Sequence, residues 1–369
     1  MAIEGELVVR VTTASGRVTR ARASAERPRV AGRLFAGRAA GEAPALAGAL
    51  FAICGRSQAI AAEGAIELAQ GRSPTQATRN ARDLRIAAET IHEHAWRLLV
   101  DWPKLAGRPP EVELLARGRR VLAPLLEVRE GEDPGSARDA AIAWAREAIY
   151  GGPHAAFLAI DTIDGLHRWM DTAGTPVAAL AMHLLGERAA LGASHVAFLP
   201  FGTDRWIERA MPPALDADAG FDDVPHWHGE PRETGPLARM AGHPLADAAI
   251  GAWGRGLGAR FVARLLETAA ALEAYGGRHG AVSLGDASAI AWVDTARGLL
   301  LHRVQVEGER IAAYRIVAPT EWNFHPEGAF TRGALALAAG DAARLESDVR
   351  WIVASLDPCI GVRYEAQHA

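Results

Sequence analysis

Residues 5–13 and 17–23 alternate apolar and polar positions on either side of Ala14-Ser15-Gly16, which predicts an opening β-hairpin. Helical composition follows from Ala43 to about Gln70 and again from Ser73 to about Val100. Gly71 stands where a glycine ends a helix. Ser73-Pro74 offers a capping serine and a first-turn proline for the next one. Arg108-Pro109-Pro110 interrupts the pattern, and helical segments resume around 111–126, 136–150 and 176–192. From Pro212 to Pro236 the chain is rich in Asp, Gly, Pro and His and reads as an extended loop. A helix is expected over 256–275, then strands over 290–294, 299–306 and 310–317, the last two joined through Glu307-Gly308. A closing helix over about 338–353 leads to Leu356-Asp357-Pro358-Cys359. These elements predict an α-rich α+β fold with a small antiparallel sheet, in a single domain over residues 1–369. Pro109 marks the one place where a boundary is signalled.

Composition changes this picture in few places. Nearly half of the 369 residues are hydrophobic, enough for a substantial core and against a disordered chain. A formal net charge of −4 leaves no basic footprint for nucleic acid. Lys104 is the only lysine among many arginines, and alanine is abundant, a bias that looks genomic and weakens alanine as a helix signal. No stretch reaches the roughly 18 apolar residues of a membrane span, and Met1-Ala2-Ile3-Glu4 runs into a strand with no leader pattern. A cytoplasmic protein without membrane or nucleic-acid partners is therefore expected. Two cysteines, Cys54 and Cys359, lie at opposite ends of the chain. An exported protein could join them in a disulfide; in a reducing compartment they are thiols with a metal or redox role, or core residues.

Candidate chemistry centres on those cysteines. Either could be an inert core thiol. Yet Cys54 precedes a helical run, and a helix beginning there would aim unpaired N–H groups and its dipole at a thiolate. His92 and His94 are two apart on a helix, so they point to different faces and at most one faces a pocket there. His226-Trp227-His228 would present both rings on one face if extended, although a solvated loop is the plainer reading. Gly251, Gly254, Gly256 and Gly258 do not fit a nucleotide-binding glycine pattern.

Seven short segments, in order along nearly the whole chain, resemble the nickel–iron hydrogenase large subunit. Ile3-Glu4-Gly5 resembles its opening R-I-E-G-H, and Ile53-Cys54-Gly55 its R-I-C-G-x-C. His92-Glu93-His94 resembles H-S-H, and Glu233-Thr234-Gly235-Pro236-Leu237-Ala238-Arg239 resembles E-x-G-P-L-A-R. Thr295-Ala296-Arg297-Gly298 with His302 resembles A-P-R-G-x-x-x-H, and Pro319-Thr320-Glu321-Trp322-Asn323 resembles P-[ST]-T-W-N. Asp357-Pro358-Cys359 resembles the closing D-P-C-x-x-C-x-x-H. The resemblance implies the large-subunit fold, a central helical bundle with a small antiparallel β-sheet.

The departures carry as much weight. The family's four metal-binding cysteines are reduced to two, because Ser57 and Val362 stand at the second position of each motif and Glu365 at the closing histidine. A serine hydroxyl is too weak an acid to replace a bridging thiolate, and valine has no donor, so nickel held by four thiolates is not expected. One cysteine per motif resembles the non-catalytic hydrogenase formation proteins. That resemblance implies a scaffold that transiently holds iron carrying carbonyl and cyanide ligands on Cys54 and Cys359, which suit low-spin iron. By the same resemblance Arg297, Pro319 and Thr320 contact the diatomic ligands, and Glu4, Ser57, His92 and His94 are possible pocket residues. The implied partners are the iron-loading maturation proteins and the hydrogenase large-subunit precursor. A hydrogenase-like enzyme with fewer thiolates and a metal-free docking protein for maturation factors are the alternatives.

Overall fold

The computed structural model describes residues 5–26, 30–200, 204–274 and 279–368. The opening alternation forms β1 (Glu6–Ala14) and β2 (Arg17–Glu26), which reverse through Ser15 and Gly16, both at positive φ. The strand regions near the other end form β3 (His279–Gly285), β4 (Ser288–Thr295), β5 (Gly298–Glu307) and β6 (Arg310–Val317) in one antiparallel sheet in that order. The chain closes with β7 (Gly361–His368), a strand absent from the sequence reading. It pairs in parallel with β1, Glu6 opposite Gly361 and Val9 opposite Tyr364, in a second sheet of order β2-β1-β7. The antiparallel sheet is as expected over β4, β5 and β6; β3 and the mixed sheet are additions to it.

Each sheet is placed by what its faces bury. Every residue of β4 is buried, because helices cover both sides. The Gly55–Ala69 helix packs Ala62, Ala65 and Ile66 with Ala289 and Ala291. On the other side Ile207, Met211 and Leu215 of the Asp204–Ala217 helix pack against Ile290, Trp292 and Leu301. That helix corrects the loop expected from Pro212. Pro212 and Pro213 lie inside it, and apolar spacing at 207, 211 and 215 overrides their local penalty. In the mixed sheet Leu7, Val9 and Val11 join the core that Val349, Ile352 and Leu356 of the Ala342–Leu356 helix supply.

The long helical regions break where local chemistry requires it. The first divides into Ala43–Leu50, a tight turn Ala52–Cys54 and Gly55–Ala69. The second begins at Gln76, capped by Thr75 rather than Ser73: Thr75 Oγ1 accepts the Thr78 N–H at 3.0 Å. It runs to Trp96 and continues through a wider turn, Arg97–Asp101. The helix expected over 176–192 stops at Leu184, shortly before Gly186. One hydrophobic cluster joins residues on both sides of Pro109, among them Leu98, Leu99, Leu122 and Leu125.

The Leu257–Ala274 helix is buried on nearly every side, against the Gln76–Trp96 and Ala342–Leu356 helices among others. It carries a polar row at Arg260, Arg264 and Glu267, spaced to share a face. Each member is paired. Arg260 grips Glu233 at 2.8 and 3.0 Å, Arg264 reaches Asp357 at 3.2 Å, and Glu267 takes His94 at 2.9 Å and Arg239 Nη2 at 2.8 Å. Breaking a buried pair of this kind costs about 3–5 kcal/mol, so the row fixes where three distant segments sit on one helix. No helix among the described residues is long and apolar enough to cross a membrane.

A candidate metal centre between two buried thiols

Cys54 occupies the turn just before the Gly55–Ala69 helix, with its backbone outside helical geometry. Gly55 is required there: a Cβ would stand 2.8 Å from the Gly48 carbonyl oxygen of the preceding helix. Cys359 follows the Ala342–Leu356 helix, which Asp357 ends in the left-handed conformation at φ 55°. These opposite ends of the chain meet. Both cysteines are buried, 5% and 8% exposed, and neither is in a disulfide. They are close enough that each contributes to the field at Arg297 and Cys359 to that at Cys54.

The local helix does not activate Cys54 as the sequence suggested. The N–H groups of Arg56 and Ser57 donate to Glu89 at 2.8 and 3.0 Å, and the Ser57 hydroxyl is bonded to the same carboxylate. Burial pushes the Cys54 thiol up, with Cys359 and Glu89 adding to it, against a smaller opposing pull from Arg297. Unliganded, Cys54 therefore favours thiol over thiolate. A bound cation would reverse that preference, since metal coordination deprotonates a thiol.

Arg297 joins the two halves. Nη2 donates to Glu93 at 2.9 Å, and Nε lies 3.3 Å from Asp357. Nη1 is buried without a hydrogen-bond partner among the described residues. Burial would lower its pKa, but Asp357 and Glu93 outweigh it and hold the guanidinium charged. Its backbone is fixed as tightly. The Arg297 N–H donates to Thr295 Oγ1 at 3.1 Å, and its carbonyl accepts from Asn323 Nδ2 at 3.4 Å. Gly298, at φ 134°, leaves space that a side chain would take from Thr234. Asp357 also accepts from Arg97 at 2.7 Å. Although burial opposes it, Arg297, Arg97 and Arg264 hold this carboxyl below the usual carboxylate range.

Thr320 lies directly against Cys359. Oγ1 accepts the Cys359 N–H at 3.1 Å and stands 3.0 Å from its sulfur. Pro319 opens the same short helix, Pro319–Asn323, and is buried. Ser57 and His92 also belong to this neighbourhood, Ser57 held on Glu89 and His92 lining an open groove of about 810 Å³ that reaches Gly55, Glu89 and Arg297. His94 faces away, bonded to Glu267 on the buried central helix, as two-residue spacing predicts. Val362 lies in β7 opposite Leu7. Glu4 falls outside the described residues. His226 and His228 form no metal site; among the described residues no three His, Cys, Asp or Glu side chains are grouped to hold an ion.

Two acidic residues that the sequence reading did not select complete the wall. Glu89 and Glu93 join His92 and Trp96 in lining the groove. Their i, i+3, i+4, i+7 spacing on one helix was the available signal. Gln58 is the other omission, with its amide nitrogen 3.7 Å from Cys54 Sγ.

Comparison with known proteins agrees with this architecture. The nickel-dependent hydrogenase family matches residues 267–362. The chain is 34% identical over 297 residues to the hydrogenase expression/formation protein HoxV of Cupriavidus necator, covering 75% of each protein. It is 37% identical over 164 residues to the hydrogenase expression/formation protein HupK of Rhizobium leguminosarum bv. viciae, covering 42% of this chain and 44% of that one. Among solved structures it resembles the reduced Ni-Fe-Se hydrogenase of D. vulgaris Hildenborough, with a TM-score of 0.57, 20% identity and 94% of each chain covered. An NAD+-reducing [NiFe]-hydrogenase superposes with the same TM-score at 18% identity over 93% of each chain. The chain has the fold of the nickel–iron hydrogenase large subunit and belongs to the family of the hydrogenase expression/formation proteins HoxV and HupK.

Proposed function

We propose that this protein acts in hydrogenase formation as a non-catalytic scaffold. It takes up iron carrying carbonyl and cyanide ligands as cargo, holds it between Cys54 and Cys359, and passes it to the large-subunit precursor. The observation that carries this reading is the Arg297 Nη1 donor, buried, charged and without a hydrogen-bond partner among the described residues, beside two reduced thiols. A buried donor without an acceptor is costly, and an anionic ligand on a thiolate-bound metal supplies that acceptor. Two thiolates and a charged donor fit iron that brings strong-field ligands of its own. They do not fit a metal needing four protein thiolates, because Ser57 is engaged with Glu89 and Val362 has no donor atom.

Thr320 and Arg297 have distinct parts in this reading. Thr320 secures the Cys359 backbone and aims a hydroxyl at its sulfur, while Arg297 neutralises charge between the two cysteine segments. Two thiolates, rather than four, hold the cargo loosely enough for an acceptor with the full set to take it. The partners implied are iron-loading maturation proteins upstream and the precursor downstream, in the reducing cytoplasm where both thiols persist.

Infrared spectroscopy of anaerobically purified protein, with metal analysis, tests the proposal. Carbonyl and cyanide stretches with iron but no stoichiometric nickel are expected, and the bands should move to added metal-free precursor. Bands that never leave this protein, or one nickel per chain with hydrogen-dependent dye reduction, overturn it.

A further inference from the structure

Behind Cys54 lies a buried line of hydrogen bonds that ends in the antiparallel sheet. Gln58 Nε2 stands 3.7 Å from Cys54 Sγ, and Gln58 Oε1 meets His302 Nε2 at 2.8 Å. His302 Nδ1 meets the Tyr314 hydroxyl at 2.8 Å. His302 belongs to β5 and Tyr314 to the neighbouring β6, while Phe35 stacks on Tyr314 with centroids 4.3 Å apart. All four members of the line are buried.

The donors fix the direction of the line. The Tyr314 hydroxyl has no other hydrogen-bond partner among the described residues, so its proton goes to His302 Nδ1. His302 is then the neutral tautomer with hydrogen on Nε2, which donates to Gln58 Oε1, and the Gln58 amide N–H is left facing the sulfur. Reversing the line would bury the Tyr314 O–H without an acceptor, at a cost of about 1–3 kcal/mol. Burial also holds His302 neutral, at about 3.

We propose that Gln58 is a positioning residue for Cys54: it presents an N–H donor to the sulfur, with its amide orientation set by His302 and Tyr314. The inference rests on the scaffold reading for its consequence, since an N–H donor on a metal-bound sulfur withdraws electron density from the metal. The sheet thereby tunes one of the two sulfur ligands without touching the cargo.

Two measurements test it. In iron-loaded protein, Gln58→Leu should shift the carbonyl stretch to lower frequency, and Tyr314→Phe should shift it the same way by less. The double variant should match Gln58→Leu alone, because Tyr314 acts through Gln58. Additive shifts, or loaded variants with unmoved bands, overturn the proposal. The second measurement needs no iron, so it separates failure of this inference from failure of the scaffold reading. Nitrogen NMR of metal-free protein carrying labelled histidine should show His302 as the Nε2–H tautomer, with its Nε2 signal displaced in Gln58→Leu. An Nδ1–H tautomer, or an Nε2 signal indifferent to Gln58, overturns the line of bonds itself.

Discussion

Thr320 Oγ1 makes two contacts with Cys359, accepting its backbone N–H at 3.1 Å and lying 3.0 Å from its sulfur. Thr320→Val keeps the shape and removes both, leaving a buried N–H without a partner. Urea unfolding should show a loss of about 1–3 kcal/mol, and Thr320→Ser should recover most of it. Equal stability of the valine and serine variants would show that the hydroxyl does not hold the loop.

Arg297 is the charged joint between Glu93 and Asp357. Arg297→Leu leaves two buried carboxylates short of their cation, so the protein should lose about 3–5 kcal/mol and load iron weakly. Arg297→Lys keeps the charge but not the planar fork, and should be intermediate in both thermal melting and iron content. A leucine variant with wild-type stability and full iron content would contradict this role.

Loss of either sulfur should be more severe for loading than for folding. Cys54→Ala or Cys359→Ala leaves one thiolate, and iron measured after anaerobic purification should fall to background. Ser57→Cys is the converse, placing a third sulfur where Ser57 now bonds Glu89. It should retain iron longer, with slower band transfer to the metal-free precursor. Unchanged transfer in Ser57→Cys would separate thiolate number from release.

Acid sensitivity follows from three buried groups. Burial lowers His302 to about 3, so below the ordinary histidine value near 6.5 the unfolded chain takes up a proton that the folded one refuses. Stability should fall as pH drops from about 6.5 toward 3. Burial would raise the Glu267 carboxyl, but Arg239 and His94 hold it at about 2. Its contribution is present above about 4.5 and lost between there and about 2. His94 is lowered too, chiefly by burial. His302→Gln should therefore flatten, without abolishing, the decline in urea midpoint between pH 6.5 and 5. A variant with the wild-type slope would refute the assignment.

Much of this was legible in the chain. Alternation around Ser15-Gly16 located the hairpin, and the strands β4, β5 and β6 emerged within two residues of their bounds. Short motifs led to Cys54, Arg297, Thr320 and Cys359, which the structure brings into one neighbourhood. What escaped depends on partners distant in sequence. Gln58 reads as an ordinary polar helix position until His302 is seen behind it. Glu89 reads as one helix acid among several until Arg56 and Ser57 supply its hydrogen bonds. Arg260 and Arg264 look like surface arginines on an arginine-rich chain, yet both are buried because Glu233 and Asp357 come to them. β7 carries only a short signal, Val362 and Tyr364 on one face, and its parallel partner β1 lies at the far end of the sequence.

The parallel pairing of β1 with β7 also imposes an order on biosynthesis. β1 leaves the ribosome long before the strand it pairs with, since Glu6 pairs with Gly361 and Thr13 with His368. Local hairpin and helix contacts can form early, but this long-range closure is slow and available only once β7 has been made. Cys359 enters just before β7, so an incomplete chain has one sulfur of the pair and an open strand edge. The second thiol of the pair thus arrives in the same few residues that seal the sheet, and a chain that has not yet reached Cys359 has only half of the candidate site.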